Sequence, residues 1–184
     1  DIDGDGVVEK NNVRAEFTIV TSNLREFAET AEILKNDWIE IGIKVNITSL
    51  DVGELQQNYI KPREYEAILF GEVLSLNPDP YSFWHSSEKK DPGLNLAMYD
   101  NRDADKALEQ ARQTKNEGER VENYKLFQAI IADEVPTIFL YSPNYIYLSS
   151  PSFKNYNVEI ISSPIYRFSN ILDWYTLTKR VWKK

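Results

Sequence analysis

Asp1, Asp3 and Asp5 alternate ahead of Gly6, with Val7 and Glu9 close behind. Alternating carboxylates, a glycine for the sharp turn and then a backbone carbonyl are how the first half of an EF-hand loop wraps calcium. The second half is missing: Asn12 stands where a bidentate glutamate would close the coordination shell, and no helix leads in. Two readings follow, a calcium loop on Asp1, Asp3, Asp5 and Glu9, or a solvated acidic turn. No other cofactor is expected. His85 is the single histidine and cysteine is absent. These counts exclude disulfides, thiolate and multi-histidine metal sites and thiol nucleophiles, and leave a serine triad only through His85. No Gly-x-Ser-x-Gly elbow accompanies that histidine. A hydrolase built on paired carboxylates is permitted by the acidic composition, but no spacing supports it.

The other chemistry-bearing stretch is Asn77-Pro78-Asp79-Pro80-Tyr81-Ser82-Phe83-Trp84-His85, followed by Asn95 and Tyr99. Proline lacks the ladder donor and holds the residue before it extended, so the chain must turn here. Tyr81, Phe83 and Trp84 offer large apolar contact at that corner. Core is the expectation for Phe83, while Trp84 has two open roles, stacking on a ligand or filling the core.

The elements that hold this corner read as an α/β alternation. Val13, Ala15, Phe17 and Ile19 have the period of a half-buried strand. Leu24, Phe27, Ala28, Ala31, Leu34, Trp38 and Ile41 line one face of a helix over 24–41, with Asn23 as its cap and Gly42 at its end. Ile43, Val45 and Ile47 then alternate again, so strand, helix and strand form a parallel crossover. A short helix is expected before Pro62, and a strand at Tyr65–Gly71 whose last glycine permits a close backbone approach. Helices follow over about 102–133. Asn101 caps the first, Asn116 and Glu119 form a capping box on the second, and Pro136 ends it. Thr137–Tyr141 reads as a buried strand, and the tail from Ser142 has no clear period.

Length and charge bound the rest. A chain of 184 residues, 42% apolar and 27% charged, suits one soluble domain, and no apolar run is long enough to span a bilayer. A net charge of −8 opposes phosphate backbones, so nucleic acid is not expected as a partner. The chain opens inside what looks like a motif, which points to a piece of a longer polypeptide with its targeting segment upstream.

Several short motifs, taken in order, resemble the second, C-terminal lobe of the peptide-type (family 5) solute-binding proteins of ABC importers. They are Asp1 to Lys10, Ile41-Gly42-Ile43-Lys44-Val45, Tyr65-Glu66-Ala67, Asp79-Pro80-Tyr81-Ser82-Phe83-Trp84, Asn95 with Tyr99, the helix end at 128–134, and Pro136 to Tyr141. The resemblance implies a periplasmic-binding-protein-like type II lobe, α/β with a mixed sheet flanked by helices. It implies a ligand-binding lobe over 1–149 and a tail over 150–184 that packs on it or returns toward a first lobe. It further implies a non-enzymatic, monomeric, extracytoplasmic protein, signal-peptide or lipid-anchored. Such a protein captures a peptide or similar small solute between two lobes and presents it to the ABC permease. The ligand-facing residues implied are Gly71, Leu74, Ser75, Asn77, Trp84, His85, Asn95 and Tyr99. In well-known members an aspartate in the loop after Gly71 pairs with the peptide's amino group. Ser75 stands at that place here, a departure that removes the ammonium's partner from the position.

Overall fold

The computed structural model describes residues 4–74, 79–157, 161 and 163–176. Contacts divide the chain into two units, Asp1–Glu72 with Pro80–Thr137, and Val73–Asp79 with Ile138–Lys184.

The first unit opens with a ribbon of β1 (Glu9–Lys10) and β2 (Val13–Arg14), paired antiparallel with Glu9 opposite Arg14. Asn11 and Asn12 turn it with φ of 55° and 61°. A two-residue hairpin turn requires positive φ at both positions, and asparagine tolerates it. The ribbon takes Val13 out of the strand expected from the alternation: Val13 is exposed, and the core strand β3 runs Glu16–Ser22.

Helix α1 (Arg25–Glu40) returns the chain to β4 (Lys44–Leu50), and β5 (Ala67–Leu69) follows. The sheet order is β4-β3-β5 with both pairings parallel, so among the described residues antiparallel pairing is confined to the two-stranded ribbons. Ile19, Ala31, Val45 and Leu69 make the core between sheet and α1, with Phe17, Phe27, Leu34 and Trp38 packed around them. The middle of the predicted apolar face is therefore the part that packs, while Leu24 and Ile41 at its two ends stay exposed. Its cap differs: Leu24 occupies the N-cap position without a side-chain hydrogen bond, and Asn23 is spent on a backbone bond to the Leu50 carbonyl. Gly42 ends the helix at φ +80°, a conformation that costs glycine little.

After β4 come α2 (Val52–Leu55), capped by Asp51, and a π-helical turn at Gln56–Ile60. A second core is carried by α3 (Tyr81–Trp84), α4 (Arg102–Gln113) and α5 (Glu117–Glu134). Asn101 caps α4 through the amides of Asp103 and Ala104, and Asn116 caps α5 through those of Gly118 and Glu119. The reciprocal half of the expected box is absent, because the Glu119 carboxylate accepts from the Thr114 hydroxyl instead. Val135 closes α5 in the left-handed region, ahead of Pro136.

In the second unit β6 (Phe153–Lys154) pairs antiparallel with β7 (Tyr175–Thr176). Trp174 is ringed by Phe153, Tyr156 and Phe168 at centroid distances of 5.2–6.0 Å, and its indole N–H donates to Asn170 Oδ1. The strand expected at Thr137–Tyr141 is not formed. Among the described residues 138–141 are not in a strand, and they carry exposed apolar side chains.

Candidate functional site

Two parallel strands flanking β3 deliver the chain to one edge of the sheet, where loops of open α/β sheets meet ligands. At the end of β5 stand Gly71, against the Phe27 ring, and Glu72. Thr21, fully buried at the end of β3, donates its hydroxyl to the Leu69 carbonyl and ties this edge together. Leu74, 42% exposed, belongs to the second unit. Ser75 and Asn77 lie outside the described residues.

Trp84, His85, Asn95 and Tyr99 are brought together, and they are inward. Trp84 is 6% exposed and makes edge contacts with Tyr99 and Phe127 at 6.4 and 6.0 Å, in the core shared by α4 and α5. Of its two open roles, core filling is the one its position serves. Phe83 packs beside it, half-buried. Asn95, fully buried, is the polar node of the corner. Its amide donates to the carbonyls of Trp84, His85 and Tyr99 at 3.2, 3.1 and 2.9 Å, and its Oδ1 accepts from the Tyr99 amide. One side chain thus satisfies backbone groups that neither helix nor strand could reach.

Tyr99 donates its hydroxyl to Glu134 at 2.6 Å, and Asn101 donates to the other oxygen of that carboxylate. Burial first, and the neighbouring carboxylate second, hold the phenol above its ordinary range. His85 stacks on Tyr81 with ring centroids 4.1 Å apart, and the Arg112 guanidinium also lies over Tyr81. The Ser87 amide donates to His85 Nδ1, so the ring proton sits on Nε2. That nitrogen lies 3.4 Å from Glu109 and 3.9 Å from Asp105 without forming a hydrogen bond. Asp105 itself accepts from the amide and hydroxyl of Ser86, which joins α4 to the turn after α3.

Sequence reasoning missed the outer clamp on this corner. Arg63 donates to the carbonyls of Lys89, Ile60 and Gly93, and Tyr65 to that of Leu96 at 2.6 Å. Arg63 has φ +61°, and no local pattern announces it. Glu72 was missed as well. Burial pushes its carboxyl up to about 7.

The acidic opening does not assemble into a metal cage in the described chain. Asp5 accepts from the Val7 amide and pairs with Arg14; Glu9 lies in β1; Asp1 and Asp3 fall outside the described residues. Among the described residues no cluster of three metal-ligating side chains exists.

No protein-family model matches the chain. Over 146 residues, 78% of its length, it is 30% identical to the oligopeptide-binding protein AppA of Bacillus subtilis, of which it covers 27%. It is 34% identical over 108 residues to the di/tripeptide-binding protein 1 of Pseudomonas aeruginosa, covering 58% of this chain and 20% of that one. The solved structure of B. subtilis AppA in complex with a nonapeptide matches with a TM-score of 0.75 and 27% identity, over 96% of this chain and 34% of AppA. The chain is a homologue of the family 5 peptide-binding proteins. The fold class is accordingly the periplasmic-binding-protein type II lobe. NikZ of Campylobacter jejuni, in complex with Ni(L-His), shares that fold at a TM-score of 0.70 and 24% identity, over 93% of this chain and 35% of NikZ. The chain spans about a quarter of the length of AppA, the first of these curated relatives. These relatives are binding proteins, and among the described residues no helix is long and apolar enough to cross a membrane.

Proposed function

We propose that this chain forms the second lobe of an extracytoplasmic solute-binding protein that captures a peptide or similar small solute and delivers it to an ABC permease. The observation that carries this reading is the match to peptide-binding AppA, in sequence over most of the chain and in fold over nearly all of it. In this reading the chain catalyses nothing, and its parent is a monomer held outside the cytoplasm by secretion or a lipid anchor. The stretch of chain after β5 that holds Gly71, Leu74, Ser75 and Asn77 meets the solute. Trp84, His85, Asn95 and Tyr99 hold the corner between α3 and α4 together. The tail from residue 150 returns toward the first lobe, a role supported by exposed Ile165, Ile171 and Leu172.

A graft tests the proposal. This chain should replace the matching segment of B. subtilis AppA, and nonapeptide binding should be measured by calorimetry. A folded chimera that binds the nonapeptide supports the reading. A folded chimera that binds no peptide, from dipeptide to nonapeptide, overturns it. The 184-residue chain alone should bind peptide weakly, because a clamp without its second side forfeits half of its contacts and its exclusion of water.

A further inference from the structure

We propose that His85 is a proton-operated latch between α3 and α4, in which protonation exchanges a backbone cap for an ion pair across the two helices. The inference stands on this corner alone and does not depend on the solute-binding reading.

His85 is 8% exposed, and its two ring nitrogens face different partners. Nδ1 accepts from the Ser87 amide at 3.1 Å and lies 2.8 Å from the Ser87 hydroxyl. The amide bond caps the short turn Ser86–Glu88, and it holds only while Nδ1 keeps its lone pair. The Ser87 hydroxyl also reaches the Glu88 carboxylate, 3.3 Å away. Nε2 carries the proton of the neutral ring, is buried, and has no hydrogen-bond partner among the described residues. Two carboxylates of α4 stand beside it, Glu109 at 3.4 Å and Asp105 at 3.9 Å. Asp105 is already engaged by Ser86, whereas the Glu109 side chain is 50% exposed and has room to turn. Arg112, also on α4, completes the charged surroundings. Its guanidinium lies 3.8 Å from the centre of the Tyr81 ring, on which His85 stacks. Arg112 opposes a second cation here, and Glu109, Asp105 and Glu88 favour one.

The neutral ring thus spends one nitrogen on a cap and leaves a buried donor unanswered, an arrangement that costs stability. A proton taken from solvent onto Nδ1 changes both ends at once. Nδ1 becomes a donor, gives up the Ser87 amide and donates to the Ser87 hydroxyl, which in turn donates to Glu88. The Nε2–H group, now part of a cation, draws Glu109 into hydrogen-bonding range. No covalent bond between heavy atoms changes. The turn after α3 loses its cap while α3 gains an ion pair to α4. Because Pro80 is the N-cap of α3, proton concentration sets how firmly the chain is held where it enters this corner.

The test uses the 184-residue chain at about pH 8 and about pH 5.5, which lie on either side of an ordinary histidine and above ordinary carboxylates. Nitrogen-15 NMR of the imidazole should show a proton on Nε2 alone at the upper pH and on both nitrogens at the lower. Protection of the Ser87 amide from hydrogen exchange, corrected for the intrinsic pH dependence, should fall about fivefold on acidification. A double-mutant cycle of His85→Asn and Glu109→Gln, read by urea unfolding, should give a coupling of about fivefold in the unfolding constant at the lower pH and none at the upper. Asparagine keeps the turn capped at either pH, so the cycle isolates the ion pair. Glu72, whose carboxyl burial pushes up to about 7, titrates in the same range and cancels because all four proteins carry it. If His85→Asn does not fold, Glu109→Gln alone decides: it should lose stability against the parent chain at the lower pH and match it at the upper. A coupling or loss that does not grow on acidification, a Ser87 amide equally protected at both pH values, or a neutral ring protonated on Nδ1 overturns the proposal.

Discussion

Around Ile19, Ala31, Val45 and Leu69 the core is closed by apolar side chains at strand and helix periods, whereas around Trp84 the closure is shared with a buried amide. The first region has regular backbone on every side, so ladders and helices satisfy its polar groups. The second is roofed by the irregular stretch from His85 to Asp100, whose carbonyls need Asn95, Arg63 and Tyr65. Periodicity suffices to build the one, and the other depends on individual polar contacts.

The largest break in that contrast should come from Trp84→Ala. Removing a ring packed on Tyr99 and Phe127 should cost about 3–5 kcal/mol of stability, measured by urea unfolding. A loss under one kilocalorie would return Trp84 to the ligand. Asn95→Ala should follow at roughly 3 kcal/mol, since it strands the Tyr99 amide and weakens satisfaction of three carbonyls. Hydrogen exchange should show the damage at 95–101 and leave β3 protected. In the other core, Leu34→Ala should cost only about 1–2 kcal/mol, because Leu34 is half-buried and its loss leaves a smaller cavity. A larger cost there than at Asn95 would erase the distinction.

The smallest effect is one of pH. Glu72 binds its proton more tightly in the folded chain than in the unfolded one, so stability should decline as pH rises from the ordinary carboxylate range toward about 7. Its exposure keeps the effect modest. Glu72→Gln should flatten that decline, as read from thermal midpoints between pH 5 and pH 8 (about those limits).

Much of the first region was legible because its residues repeat: the face of α1, the return through Gly42 and the parallel strands all follow from spacing. Where a local signal was ambiguous the reading slipped. Val13 continued the alternation in sequence, but the turn at Asn11 and Asn12 pairs it into the ribbon of β1 and β2, and Asn23 looked like a cap while its backbone was committed to the Leu50 carbonyl. In the second region the helices and their asparagine caps were readable, and the corner was recognised by its prolines and aromatics. What holds the corner was not, because Asn95, Arg63 and Tyr65 reach carbonyls distant in sequence and no periodicity encodes such a bond. Thr137–Tyr141 has the composition of a strand, and composition alone does not decide the backbone conformation.

The two cores also differ in when their parts exist. Every side chain of the sheet core lies at or before Leu69, and every side chain of the Trp84 core lies at or after Tyr81. A chain leaving the ribosome therefore presents one complete set of core residues before the other has been made. The earlier core can be native while α4 and α5 are still being synthesised. The later one has to wait for Ile131, close to the end of α5.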